Sequence, residues 1–396
     1  MALNIKEFSG QFIDYFINLI LPKNKISDGY LLLIRLDSIG DYILFRNFIA
    51  VLKNSEKFRN YKFIFAGNII WKDIAEELDC GYIEKFIWID LKRFTNPLYR
   101  FNKLKELSTF GYEYVISPVH SRRFFYGDAV VKFVNAKEKI CTEGDLSIMT
   151  MRQKKIADKY FTKLIDSGNE IIFEFYRNKQ FFENLIGIEL EIKKPEINLE
   201  SKNSDVLNKF GIKEGFVVLF IGASENYKVW DAENFAKVAQ YINNKYNFKI
   251  VLCGGKNDVK YVDKFKSFFK RKYLDLTGKT SLMDFAKILS KSSLLITNDT
   301  FAQHLAVAIN IKNIIVLFSG NDFGRFVPYP EEMVKNLNYN VIFHPEIEKD
   351  IESYGKIAKN YGFRSNLNIN DISPEEVIKK IDKVLNKKNN KNIRYE

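Results

Sequence analysis

Residues 31–45 read LLLIRLDSIGDYILF. An aliphatic run ends in Arg35 and Leu36, two aspartates bracket Ser38, Ile39 and Gly40, and an apolar pattern resumes at Tyr42. A short unbroken aliphatic run bounded by turn residues suits a strand buried on both faces, which means parallel sheet covered by helices. The stretch reads as a strand, Tyr30–Leu36, then a loop carrying two carboxylates and a glycine, then a helix from Tyr42 to Leu52.

The alternation continues outward. Strands are expected at Lys62–Ala66, in KFIWID and at Tyr114–Ser117, with helices over Trp71–Leu78 and Leu98–Leu107. Past a polar stretch near Lys193–Asn208 a clearer series begins. Its strands are Phe216–Ile221, Lys249–Cys253, Leu294–Thr297 and Asn313–Phe318, the last closing the series. Its helices are Ala232–Tyr246, Val259–Phe269, Leu282–Ser290 and Phe301–Ile309. Strands alternating with helices give an α/β class with parallel sheet, and two series of one topology give two Rossmann-like domains. The segment SPEEVIKKIDKVL starts a final helix, with Ser373 as N-cap, Pro374 in the first position and an acidic first turn. At the other end, Phe8–Leu21 has helical spacing and stops at Pro22. Its apolar side is expected either to pack on the protein or to lie on a membrane face.

The length of 396 residues favours two domains, and 46% hydrophobic residues supply real cores. The net charge of +12 suits anionic partners, with a solvated Lys-rich surface as the plain alternative. No RNA-recognition or zinc-finger pattern is present, so a nucleic-acid partner is not expected. Cys80, Cys141 and Cys253 form no CxxC pair, so neither a disulfide framework nor a zinc site is expected. No secretory signal and no apolar run of roughly 20 residues occur, so a cytoplasmic protein is expected.

In open parallel sheets ligands sit beyond the carboxyl ends of the strands, so the strand-to-helix loops carry the chemistry. In the first, RLDSIGDY, Gly40 allows a tight turn or close approach of a ligand. Asp41 is either a helix-start aspartate or a general base, and Asp37 is an alternative cap. In the second, FIGASENYKVWDAENF, the strand runs into Gly222, Ala223 and Ser224, with Lys228 and Trp230 ahead of a helix. Small residues with a nearby lysine suit phosphate, although GxxxxGK[ST] is absent. In the third, LLITNDTFAQHLAVA, Asp299 and Thr300 follow a buried strand and open a helix. Asp299 suits sugar hydroxyls. His304, one turn on, is either a hydrogen-bonded core residue or a pyrophosphate contact.

The three loops in this order, with VLCGG, LTGKTSLMDFAKIL and the terminal ISPEEVIKKIDKVL, resemble the heptosyltransferases of glycosyltransferase family 9, which add heptose during lipopolysaccharide core assembly. The resemblance runs from about Tyr30 to Leu385. It implies a GT-B fold, two Rossmann-like domains facing across a cleft: residues 1–200 for the acceptor and 201–396 for the nucleotide-sugar. It implies inverting transfer, usually from ADP-heptose to a lipid-linked saccharide, with no metal and no cofactor. Asp41 matches the family's base. Ser224 and Lys228 match donor-phosphate residues, and Asp299, Thr300 and His304 match the donor-sugar and pyrophosphate loop. Gly40, Gly222 and Ala223 are the supporting loop positions. Phe301 departs from the small residue, commonly Gly, that the family has there. In the loop after Cys253, Asp258 is the candidate acidic contact to the nucleotide.

A lipid acceptor at the inner face of the inner membrane would give the basic surface a use. Lys25, Lys53, Arg100, Lys103, Arg122 and Arg123 are the candidate contacts. Two other readings keep the fold: a transferase using another nucleotide-sugar or a non-lipid acceptor, and a non-catalytic nucleotide-sugar-binding protein.

Overall fold

The computed structural model describes residues 14, 16, 17, 19–21, 25–168, 170–199, 205–358 and 362–386. Most of the expected helix Phe8–Leu21, part of the polar stretch (200–204) and the tail from 387 lie outside the described residues. The chain divides into two units, Met1–Glu170 with Glu174–Ile192, and Ile171–Phe173 with Lys193–Glu396.

The first unit holds β1 (Tyr30–Arg35), β2 (Lys62–Asn68), β3 (Lys85–Ile89), β4 (Tyr112–Ser117), β5 (Ala136–Thr142) and β6 (Lys163–Ile165). They form one sheet in the order β3-β2-β1-β4-β5-β6, every neighbouring pair parallel. The aliphatic run of β1 is buried on both faces, as its composition requires. Leu32, Ile34, Ile64 and Val115 pack with Leu104, Leu107 and Val130 from the covering helices. Ile17 and Leu21 join this core, while Phe16, Leu19 and Ile20 are exposed.

The helix expected over Tyr42–Leu52 is two helices, Ile39–Phe45 and Asn47–Asn54. Ile49 N–H donates to the carbonyl of Arg46, three residues back, which tightens the chain there. The Arg46 side chain turns to Asp79, with Nη2 2.7 Å from Oδ1. Strands β5 and β6 went unread because AKEKICT mixes charged with apolar residues and KLI is only three residues long.

The second unit holds β7 (Phe216–Phe220), β8 (Lys249–Cys253), β9 (Leu274–Asp275), β10 (Leu295–Asn298), β11 (Asn313–Phe318) and β12 (Asn338–Phe343). The sheet runs β12-β11-β10-β7-β8-β9, again all parallel. Strand β11 does not close the series. NYNVIF of β12 pairs along it from Asn313↔Asn338 to Phe318↔Phe343. An edge strand is only partly covered, so β12 carries polar residues that hide it in the sequence. Val217, Leu219, Ile250 and Ile296 pack with Ala236 and Ile242 and with Val377 and Ile381 of the final helix, Pro374–Asn386. That helix starts as expected: Ser373 Oγ accepts from Glu376 N–H (3.2 Å), and the Glu376 carboxylate accepts from Ser373 N–H (3.0 Å).

All three cysteines are free, Cys80 exposed and Cys141 and Cys253 buried. Among the described residues no helix is long and apolar enough to cross a membrane.

Candidate functional site

In the second sheet the strand order reverses between β7 and β10, and the loops leaving their carboxyl ends hold the second and third sequence motifs. A reversal of this kind opens a crevice between adjacent loops. Asn298, at the end of β10, ties the two loops together. Its Oδ1 accepts from Trp230 N–H (3.1 Å), and its Nδ2 donates to the carbonyls of Ile221 (3.3 Å) and Gly222 (3.1 Å). Gly222 is required by close approach, because a Cβ there would lie 1.9 Å from the Asp258 carboxylate. Asp258 itself accepts from Gly255 N–H (2.7 Å), so it braces the loop after β8.

Lys228 and Asp299 meet in this crevice, Nζ 2.7 Å from Oδ2, with both side chains largely buried. The other oxygen of Asp299 accepts from Gln303 Nε2 (2.8 Å), and Gln303 Oε1 accepts from the Tyr339 hydroxyl (3.0 Å). Burial works against the charge on Lys228, but Asp299 and its hydrogen bond outweigh it and hold the ammonium above its ordinary pKa. Asp322 faces the same pair. Burial raises its pKa, with Arg325 and Lys228 opposing and Asp299 adding to the rise. The sequence reading gave Asn298, Gln303 and Asp322 no role. Asn298 lay inside the quoted motif, and a buried Asn closing an aliphatic strand was the available signal.

Thr300 caps the helix Phe301–Ala308, its Oγ1 accepting from Ala302 N–H (3.2 Å). Ser224 and Ala223 sit at the open side of the loop, Ser224 exposed. His304 is buried, with Nδ1 2.8 Å from the Tyr329 hydroxyl, so it is a hydrogen-bonded interior residue. The departure at Phe301 has a packing reason. Its ring lies edge-on to Phe220 (5.3 Å, 83°) and Phe285 (6.0 Å, 73°), within the layer between sheet and helix.

The first unit answers why two carboxylates and a glycine follow β1. Ser38 and Asp41 form a capping box at the helix Ile39–Phe45, Asp41 Oδ2 accepting from Ser38 N–H (3.2 Å). Gly40 lies within the first helical turn rather than in a tight turn of its own. Asp37 is not the cap. It faces the fully buried Arg35, Oδ2 2.8 Å from Nε. Arg35 also donates to Asn178 Oδ1 (2.7 Å) and to the Pro118 carbonyl (3.1 Å) and lies over the Phe45 ring.

Here too the strand order reverses, between β1 and β4. A small recess opens there, lined among others by Asp37, Ser117, Ser121, Arg123, Tyr126 and Asp128. Burial pushes the Asp37 carboxyl up to about 7 against the pull of Arg35, with Asp41 and Glu174 adding to the rise. Burial likewise pushes Asp128 up to about 6, with Arg122 opposing.

The basic candidates separate. Arg100 is buried against Asp14 (2.8 Å), and Arg122 against Asp158 (2.6 Å) and Asp128 (3.4 Å), so both are internal. Lys53 donates to the carbonyls of Arg59 (3.1 Å) and Tyr61 (2.7 Å), and Lys103 pairs with Glu106 (2.9 Å). Lys25 is exposed, and Arg123 is half-buried at the recess. Among the described residues no group of three or more His, Cys, Asp or Glu has the arrangement of a metal site.

The model of glycosyltransferase family 9 (heptosyltransferase) matches residues 105–353, which takes in both loops of the second-unit crevice. Over 131 residues the chain is 26% identical to lipopolysaccharide heptosyltransferase 3 of Escherichia coli (strain K12). That stretch is 33% of this chain and only 38% of the relative's length. The glycosyl transferase family 9 structure from Veillonella parvula DSM 2008 is similar with a TM-score of 0.69 at 18% identity, covering 92% of this chain and 99% of that one. The E. coli heptosyltransferase WaaC with ADP is similar with a TM-score of 0.65 at 15% identity, covering 89% and 99%. At these identities the likeness is one of fold, the GT-B fold of heptosyltransferases. With the family match spanning more than half of its length, this chain belongs to glycosyltransferase family 9, the heptosyltransferases, and is a glycosyltransferase.

Proposed function

We propose that the enzyme moves heptose from ADP-heptose to a hydroxyl of the lipopolysaccharide core or a related lipid-linked saccharide, inverting the anomeric centre without a metal. The observation that carries this reading is the buried Lys228–Asp299 pair at the reversal point of the second sheet. It supplies a fixed cation for a diphosphate beside a fixed carboxylate for sugar hydroxyls. Ser224, Thr300 and the N-terminus of the helix Phe301–Ala308 add donors for the charge that grows on the departing diphosphate. His304, bonded to the Tyr329 hydroxyl, supports the helix Phe301–Ala308 from the interior side.

The acceptor is assigned to the first unit. Its hydroxyl gives up a proton to Asp41, its oxygen bonds to the anomeric carbon, and the bond from that carbon to the diphosphate oxygen breaks, the diphosphate leaving with the electron pair. The capping bond uses one of a carboxylate's roughly four acceptor positions, so it is compatible with this role. Gly40, in the first helical turn beside Asp41, keeps side-chain bulk away from it; Ala223 keeps the loop small beside the diphosphate, and Gly222 lets that loop close against Asp258. The solved relative WaaC is described with ADP, which favours an adenosine diphosphate donor here. The place of action is then the cytoplasm, at the inner face of the inner membrane where a lipid-linked acceptor is presented.

A thermal-shift screen of nucleotide-sugars tests the donor. A ligand at a hundredfold excess over its Kd raises stability by about 2.7 kcal/mol. ADP-heptose is expected to raise the melting temperature while UDP- and GDP-sugars leave it unchanged. A shift with a UDP- or GDP-sugar alone would replace the donor assignment.

A further inference from the structure

Strands β11, β10 and β7 are neighbours in that order in the second sheet. Their carboxyl ends lie at one edge, so the loop after β10, with Asp299 and Thr300, is flanked by the loops after β11 and β7. A short stretch beyond the family match, residues 363–365, is bound to the first of these flanking loops. The Phe363 carbonyl accepts from Asp322 N–H (2.9 Å), and Ser365 N–H donates to Asn321 Oδ1 (3.1 Å). Ser365 Oγ donates to the Ser319 carbonyl. The Phe363 ring lies edge-on to Tyr354 (5.9 Å, 84°), whose hydroxyl donates to the Gly320 carbonyl (3.1 Å). Arg364 therefore has both of its chain neighbours fixed on the loop after β11.

The side chain of Arg364 reaches the other flanking loop. Its guanidinium carbon lies 5.4 Å from the centroid of the Tyr227 ring. Tyr227 belongs to the turn Asn226–Lys228 after β7, and that turn is itself pinned from the side of β8: Asn226 Oδ1 accepts from Lys260 Nζ (3.1 Å) and from the Tyr261 hydroxyl (3.0 Å). Strands β11 and β7 are two ladders apart, about 10 Å at the usual strand spacing. An arginine anchored on one loop and stacked on the other spans the loop between them, which holds Asp299. The charges of the crevice are otherwise matched: Lys228 pairs with Asp299 (2.7 Å), and Arg325 faces Asp322. Arg364 is exposed, and among the described residues no carboxylate pairs with it. Stacking on an aromatic face fixes the guanidinium plane and leaves its N–H edges free, and that fork of donors fits two oxygens of a phosphate.

We propose that Arg364, held on the Tyr227 ring, is a second cation of the donor site and binds diphosphate oxygens that Lys228 does not reach. The proposal rests on the reading of a nucleoside-diphosphate-sugar donor and deepens it. A diphosphate carries more than one negative charge, and Lys228 is already answered by Asp299. Arg364 supplies the charge that this pair leaves unmet, both for the bound donor and for the departing diphosphate.

Calorimetric titration of the full chain with ADP at several salt concentrations tests it, with UDP and GDP run beside ADP on the wild type. Arg364→Gln is expected to weaken ADP at least about tenfold, with an unchanged melting temperature because the side chain is exposed. Its ADP affinity should also fall less steeply with salt than that of the wild type, since one charge contact is gone. Arg364→Lys is expected to recover the salt dependence and only part of the affinity, because an ammonium keeps the charge and lacks the fork. An ADP titration of Arg364→Gln equal to the wild type would overturn the proposal. A loss of affinity that leaves the salt dependence unchanged would overturn it as well, and would make Arg364 a support of the loop. Should the wild type bind UDP or GDP in place of ADP, the nucleotide assignment fails, and the same comparison with that nucleotide still decides the role of Arg364. Tight ADP binding that does not depend on Arg364 leaves the donor reading standing. A wild type that binds none of the three diphosphates would overturn both.

Discussion

Lys228 and Asp299 stand 71 residues apart in the chain, yet Nζ and Oδ2 are 2.7 Å apart where the second sheet reverses its strand order. The ammonium is charged and fixed before any ligand arrives, so a diphosphate gains its partner without ordering a flexible lysine. Lys228→Met is expected to weaken ADP-heptose binding at least about tenfold by calorimetric titration. It also leaves Asp299 buried beside Gln303 without its cation, so the melting temperature should fall. An unchanged titration would remove Lys228 from the donor site.

Asp41→Asn isolates proton acceptance from capping, since the amide oxygen of asparagine still accepts from Ser38 N–H. Transfer is expected to fall by roughly 100-fold or more while donor affinity stays as in the wild type. A coupled nucleotide-release assay, run beside the titration, makes the comparison. Equal turnover would take Asp41 out of the base role.

Asn298 serves three backbone groups from one buried side chain, and its loss leaves them unpaired. Asn298→Ala is expected to cost about 2–3 kcal/mol in denaturant unfolding. Asn298→Asp should cost at least as much, because a carboxylate oxygen would then face the carbonyls of Ile221 and Gly222. Recovery of wild-type stability by the aspartate variant would contradict the assigned bonding.

Asp37 sets a pH dependence. Its carboxyl is raised from 3.8 to about 7 in the folded chain, chiefly by burial, so between those values the folded state binds the proton that the unfolded state releases. Stability from this group is therefore full below the unfolded value and lost as pH rises toward about 7. Relative to Asp37→Asn, the wild type should lose unfolding free energy between pH 4 and pH 7 and run parallel to it above. Parallel curves throughout would mean that Asp37 is ionised in the fold at low pH.

The strands buried on both faces were legible because they can hold little except aliphatic residues, as LLLIR in β1 and NIIVLF in β11 demonstrate. The helix start at Ser373 was legible because a cap is local chemistry within four residues, whereas the start at Ser38 lies earlier than the expected Tyr42. Strand β12 was not, since half-covered edge positions tolerate Asn and Tyr. Asp37 stood as an alternative cap because its partner is not visible locally: Arg35 lies two residues away, but its burial depends on Asn178 and Glu174, more than a hundred residues on.

By itself the sequence determined the alternation of strands and helices, the two-unit plan and the loops that carry polar groups, because these follow from spacing and from what each backbone position tolerates. Tertiary structure alone decided strand order, and with it where each sheet reverses. Only that order brings Lys228 to Asp299 and Asn298 to the loop after β7, and sets the recess beyond β1 beside Arg123. Pairing between distant segments is a property of the folded sheet, and local sequence holds no record of which neighbour a strand will take.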